Sequence, residues 1–461
     1  MAEQAATTKV DGARFIITMD AERRIIRDGS VLIRGNRIEW VGKAAELAAE
    51  PADRTIDARE MVVTPGFVNG HMHISYAHAT RGIFPDSLGR AYLPNVFKLQ
   101  GVMTPEEEYA TSLLGITELL KYGTTCFVDP GSTKHIDACL AAYEQSGIRI
   151  TTGTHVTDRP NPLNLPVYET NEAIERMEAT IAAFDGKLDG RVRAWAMPFS
   201  AEYATPKLLQ AAKELADRYH TGFTLHHSFT PEAAAEAATK TGRRPLEMLG
   251  ELGCLGANVL LSHALGLDDA EVELLARSDT AVVAVPTAAI KGGSGMTATG
   301  KLPEMLAGGV RAAIGTDAAN NSNLVETLRA MYLIAVLYKD GRRDVQSIPA
   351  ETALELATIR GAQALGLGDQ IGSLEPGKRA DLVLFDTRRP EWRTLFNPVN
   401  SLVYSADGRS VDTVLVDGRV VVEHHTPLFV DEWTLMERVQ RIGEEMLLRT
   451  GLSFPSRWPV I

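Results

Sequence analysis

The sequence predicts an α/β chain: a (β/α)8 (TIM) barrel carrying a small β-domain assembled from both chain termini. Three observations predict it. Short apolar segments alternate with longer amphipathic ones through the middle of the chain, the pattern of a parallel sheet. The two ends read differently, as short strands broken by Gly and Asp turns. Histidines and an aspartate recur where apolar strands stop, the end of a barrel that carries its chemistry.

Taken in order, Ala13–Thr18, Ser30–Ile33 and Arg37–Val41 are the N-terminal strand candidates. The first barrel strand runs into His71. A helix closing on Leu119-Leu120-Lys121-Tyr122-Gly123, with the glycine as C-cap, leads into the strand Thr124–Val128. Ile148–Thr154, Val192–Met197, Gly222–His226, Val259–Ser262, Ala281–Val285 and Val310–Ile314 continue the series. Pro206–Tyr219 and Asp268–Arg277 lie between strands and space their apolar residues as helices do. Asp381–Phe385 and Thr413–Val421, with Asp417-Gly418 as a hairpin turn, return to short strands. The limits read as 1–63 and 369–430 for the two parts of the β-domain, 64–368 for the barrel and 431–461 for a C-terminal helix and tail.

The chain has 461 residues, 45% hydrophobic and 23% charged, enough to bury a large core without staples. Its net charge of −12 argues against nucleic acid or an anionic membrane as the main partner. Cys126, Cys139 and Cys254 form no C-x-x-C pair, which fits a reduced, cytoplasmic protein. Met1–Asp11 lacks the basic-then-apolar pattern of a signal peptide, and no window is long and apolar enough for a transmembrane helix.

The sharpest chemical signal is Pro65-Gly66-Phe67-Val68-Asn69-Gly70-His71-Met72-His73. Histidines two apart on a strand project to one face, so both imidazoles can reach one cation. A bare His-x-His can equally be two polar residues on an exposed strand; the apolar run before this one marks the strand as buried. Leu225-His226-His227-Ser228 closes another apolar strand. One of its imidazoles should point into the barrel and one outward, and His226, which continues the strand directly, is the expected ligand. Leu260-Leu261-Ser262-His263 and Ala313-Ile314-Gly315-Thr316-Asp317 end strands in the same way. Alone, Asp317 would read as a helix cap; in series with the others it reads as a ligand. His155 also ends a strand and is expected to join the pocket, either behind the ligands or against the substrate.

The order His71-x-His73, His226, His263, Asp317 resembles the amidohydrolase superfamily. Gly372-Ser373-Leu374-Glu375-Pro376-Gly377-Lys378-Arg379-Ala380-Asp381-Leu382-Val383 is similar to that superfamily's C-terminal signature. The resemblance runs from about Gly12 to Val421. Met103-Thr104-Pro105-Glu106-Glu107 and Gly123-Thr124-Thr125-Cys126 look like the branch of chlorotriazine hydrolases and S-adenosylhomocysteine- or cytosine-type deaminases. Within it the phenylurea and molinate (thiocarbamate) hydrolases are expected to be closest. The resemblance implies that His71, His73, His226 and Asp317 hold one divalent cation, zinc first, with cobalt or iron as alternatives. His263 would be a further ligand or would polarise the substrate.

Two departures shape the expected activity. Binuclear members carry a carboxylated lysine after the fourth strand, and Trp195-Ala196-Met197-Pro198-Phe199-Ser200 offers none, so one metal is expected. Deaminases of this branch carry His-x-x-Glu at the fifth strand; counting from His226 or His227 gives Phe229 or Thr230. The expected reaction is therefore hydrolysis of a C–N (or thiocarbamate C–S) bond in a small, largely neutral amide, urea or carbamate. A cation would lower the pKa of its water from about 15.7 to roughly 7, and the hydroxide would attack a carbonyl or aryl carbon with Asp317 as base and His263 assisting. His227, Phe199, Tyr76, Phe84 and Tyr92 are expected to join His155 around the substrate, with Ala288 and Ala289 making the pocket less polar. The alternative within enzymes is a nucleobase or aminotriazine deaminase or a triazine chlorohydrolase; outside them, a non-catalytic barrel with a structural metal. A structural zinc site closes all four positions, which this ligand set does not require. A homo-oligomer is expected by analogy with other barrels.

Overall fold

Eight parallel strands close into a barrel in the computed structural model, which describes residues 6–459. The reading of Met1–Asp11 therefore falls partly outside the described residues. In order the strands are Phe67–Asn69, Thr124–Val128, Arg149–Thr152 with His155–Val156, Val192–Ala194 with Met197–Pro198, Phe223–His227, Val259–His263, Ala281–Ala284 and Ala312–Ile314. The first four pair in series, as do the last four. Parallel bridges from Ala196 to Phe223 and from Ser200 to His226 join the two halves on one side. On the other, the Gly70 amide donates to the Ile314 carbonyl at 2.8 Å and shuts the barrel.

The third and fourth strands each break in two, at places where the sequence reads as continuous. Gly153 explains the first break: a Cβ there would stand 2.6 Å from the Trp195 carbonyl oxygen, so the two strands approach too closely for a side chain. Val68, Cys126, Val128, Leu260, Val283 and Ala313 pack into one apolar cluster that fills the barrel. Helices cover the outside. Pro105–Lys121 begins with a reciprocal cap between Thr104 and Glu107, which satisfies two free amides and fixes its start.

The second sheet draws on both ends of the chain. Met61–Pro65 pairs antiparallel with Leu382–Asp386 and so links N-terminal strands (Thr7–Ile17, Ile25–Arg34, Arg37–Lys43) to C-terminal ones (Val411–Val416, Arg419–Glu423). The first strand is longer than its sequence suggests, because a bulge between Val10 and Ala13 absorbs Gly12 at φ +70°. The signature aspartate, Asp381, fastens this sheet to the barrel floor. Its carboxylate takes the Arg149 guanidinium from the third barrel strand at 3.2 Å, and Arg149 also reaches Asp417 at 2.8 Å. The helix Glu432–Thr450 lies along Pro105–Lys121, tied by Lys121–Glu432 at 2.7 Å and Arg449–Glu107 at 2.6 Å. No helix among the described residues is long and apolar enough to cross a membrane.

Candidate metal centre

Five side chains converge at the C-terminal ends of the first, fifth, sixth and eighth strands. Ligand atoms of His71, His226 and His263 lie within 4.8 Å of one another, and so do those of His71, His73 and Asp317. His71 belongs to both groups, so they form one site. His73 Nε2 stands 3.2 Å from His226 Nε2 and 3.6 Å from Asp317 Oδ1.

Small residues let the chain bring these groups together. Gly315 has no Cβ because one would lie 2.8 Å from that of His71. Beyond it, the Thr316 and Asp317 amides both donate to the His71 carbonyl at 3.0 Å, which sets the first strand against the eighth. Asn69 completes the clasp: its side-chain amide donates to Thr316 Oγ1 at 2.7 Å. His263 and Asp317 sit at φ +78° and +61°, conformations that cost non-glycine residues roughly 1–3 kcal/mol and gather at functional sites.

Burial decides the protonation states. It pushes His71, His73 and His263 well below the usual imidazole range, helped by neighbouring histidine charge, and brings His226 down to about 4. The imidazoles are therefore neutral, the form with a lone pair to give. His226 Nδ1 stands 2.9 Å from the Phe199 carbonyl and must donate to it, which leaves Nε2 as the acceptor facing the cluster. Burial raises Asp317 to about 6, against hydrogen bonds from the Ala318 amide and Asn321. Both ring nitrogens of His71, Nδ1 of His73 and Nε2 of His263 are buried with no hydrogen-bond partner. Lone pairs stranded this way are costly unless something accepts them, and a divalent cation does. The donor set of imidazoles and one carboxylate fits zinc, cobalt or iron.

His227 takes the other side of the fifth strand. It is buried and belongs to neither ligand group, though it borders the cavity above the cluster. His226→Ala is expected to lose the metal and His227→Ala to keep it, by metal analysis of purified variants. The opposite pattern would mean that the strand register is wrong by one residue.

The cavity above the cluster measures about 660 Å3. Tyr76, Tyr92 and Phe199 line it, together with Phe229, noted in the sequence for its spacing from His226, and with Phe97 and Arg90, which the sequence did not single out. Several expectations need correction. Phe84 is not among the lining residues; it packs behind Tyr92 at 5.4 Å and against Phe454 at 5.0 Å. His155 is not a lining residue either, and stands behind Phe97 and Phe199 at 6.0 and 5.6 Å. Ala288 and Ala289 are buried in the core beside the seventh strand rather than facing the cavity. Asn321, which orients Asp317 at 3.1 Å, carried a signal that could have been read: a polar side chain four residues after the aspartate. Phe229, three residues after His226, sets its ring 4.5 Å from that of His263.

Residues 62–421 match the model of the amidohydrolase family. The chain is 32% identical over 435 residues to a 5-methylthioadenosine/S-adenosylhomocysteine deaminase of Syntrophobacter fumaroxidans, covering 93% of this chain and 96% of that one. A 5'-deoxyadenosine deaminase of Methanothermobacter thermautotrophicus is 32% identical over 422 residues, covering 91% and 95%. Among solved structures, an adenosine deaminase from Xanthomonas campestris with bound zinc superimposes with a TM-score of 0.88 at 25% identity, over 96% and 99% of the two chains. A zinc complex of atrazine chlorohydrolase from Arthrobacter aurescens, at 23% identity and a TM-score of 0.86 over 95% and 100%, shares the fold. The expected kinship with phenylurea and molinate hydrolases gives way to these deaminases.

Proposed function

The chain belongs to the amidohydrolase family, and from that premise we propose that it is a zinc-dependent hydrolase that displaces an amino group, or a comparable leaving group, from a ring carbon of a small planar nitrogen heterocycle. The observation that carries this reading is the five-residue cluster set at the floor of a cavity with aromatic walls. Tyr76, Tyr92, Phe97, Phe199 and Phe229 offer flat faces, and the volume, about 660 Å3, suits a substrate of nucleobase or nucleoside size. The likeness to nucleoside deaminases over nearly the whole chain supports the same class.

His71, His73, His226 and Asp317, with His263, would hold one ion, which supplies Lewis acidity and a nucleophile at neutral pH. The protein's own part is positioning and proton transfer. Asp317 is fixed by the Ala318 amide on Oδ1 at 2.6 Å and by Asn321 on Oδ2 at 3.1 Å, so its remaining lone pairs face the cluster. It accepts the proton of the attacking water and returns it to the departing group. His263 holds the substrate's polar edge or joins the ligands.

One observation favours a second reading, hydrolysis of an amide, urea or thiocarbamate carbonyl. Phe229 packs on His263 and offers no carboxylate there to protonate a ring nitrogen, and a carbonyl needs no such proton at the start. The metal-loaded protein should be assayed against aminopurine nucleosides, aminotriazines, ureas and carbamates. Ammonia release from a heterocycle at a kcat/KM above that for every urea and carbamate is the expected result; the reverse order would replace the first reading by the second.

A further inference from the structure

Arg90 belongs to the cavity wall and, among the described residues, to no ion pair. It lies in Asp86–Tyr92, two short 3-10 turns that meet at a kink at Gly89, φ +48°. Its guanidinium carbon sits 5.1 Å above the centre of the Phe229 ring. Phe229 in turn meets His263 edge-on at 4.5 Å, so one aromatic ring separates the guanidinium from the metal cluster. Among the described residues the guanidinium makes no hydrogen bond and no ion pair within 4.0 Å. Glu232 is the carboxylate whose charge reaches it most strongly, from beyond that distance. By contrast Lys240, a cation on the same wall, is already paired with Glu236 at 2.7 Å.

A guanidinium resting on a ring face is oriented while its N–H fork stays free. A carboxylate at position 229 would sit where the ring now does and compete for that fork. With phenylalanine there, the fork is open to a ligand in the cavity. Planar bidentate donors recognise carboxylates, and such a contact beside the reacting centre selects among substrates.

Resting on the proposed function above, we propose that Arg90 is a specificity-determining residue that selects substrates bearing a carboxylate on or next to the ring that is attacked. This differs from the largely neutral substrate expected from sequence, and the experiment below decides between the two.

Calorimetric titration of the zinc-loaded protein tests this with matched probes: 4-aminopyrimidine-5-carboxylate against 4-aminopyrimidine, and 3-carboxyphenylurea against phenylurea. At least one carboxylate should bind tenfold or more tighter than its neutral partner. In Arg90→Gln that preference should fall to twofold or less, and Arg90→Lys should keep part of it. Arg159, another guanidinium on the wall without an ion pair among the described residues, is the control: Arg159→Gln should retain the preference. Coordination of the carboxylate by zinc would persist in Arg90→Gln, so an undiminished preference there overturns the proposal, as does no preference in either wild-type pair. The readout is binding, so it is separate from the reaction assigned: a preference lost with Arg90 retains this proposal whether or not the probes are turned over, while the kcat/KM order across substrate classes decides the reaction. A melting temperature for Arg90→Gln within a few degrees of wild type shows that the comparison is between folded proteins.

Discussion

Replacing His71 or His73 with alanine is expected to cut activity by about a thousandfold or more, equivalent to about 4 kcal/mol of transition-state stabilisation, and to lower bound-metal content in parallel. Each change removes one nitrogen from a cluster whose members lie within 4.8 Å of a common partner. The stability of the metal-free protein should move in the other direction. Both ring nitrogens of His71 are buried without a partner, and an unsatisfied buried group costs about 1–3 kcal/mol. Without metal, His71→Ala should therefore be no less stable than the wild type, even though it opens a small void; with metal, only the wild type should gain. Unfolding followed with and without added zinc checks both halves. Full activity at unchanged metal content in either variant would remove these residues from the site.

The parts legible in the sequence are those governed by local periodicity and by strand ends. Apolar runs placed the strands because a barrel strand is buried on both faces, and the run Phe67–Asn69 before His71 is buried throughout. The helix Pro206–Arg218 and the hairpin at Asp417-Gly418 followed from spacing and turn chemistry alone. What the sequence concealed depends on contacts between distant segments. Arg90 and Phe229 meet across 139 positions, and nothing in either neighbourhood marks the other. Phe84 and His155 were expected around the substrate but pack against the rings of the cavity wall, since the direction of a side chain beyond a strand end is set by loop packing and not by a period. Gly153, whose missing Cβ admits the Trp195 carbonyl, breaks a strand that its apolar content describes as continuous.

The C-terminal signature has a physical meaning that leads to the second large effect. Asp381 opens the strand Leu382–Asp386, and both it and Arg149 are almost wholly buried at the joint between the barrel and the terminal sheet. One Asp381 oxygen also accepts the Asp417 amide at 2.8 Å, so the guanidinium neutralises a carboxylate that is already committed to the backbone. Arg149→Met keeps much of the side-chain volume but strands Asp381 without its counter-charge, and Asp417 keeps only the more distant Arg379 and Arg191 at 3.6 and 3.8 Å. Breaking a buried pair on one side costs about 3–5 kcal/mol, far more than an exposed pair contributes. The double variant Arg149→Met/Asp381→Asn removes the uncompensated charge while keeping an acceptor for the Asp417 amide, so it should recover a large part of the loss. Denaturant midpoints of the zinc-loaded single and double variants measure the difference. A loss below about 1 kcal/mol for Arg149→Met would show that the joint is held by its apolar packing, Leu382 and Leu415 foremost, and that the ion pairs serve only to set the register of the two layers.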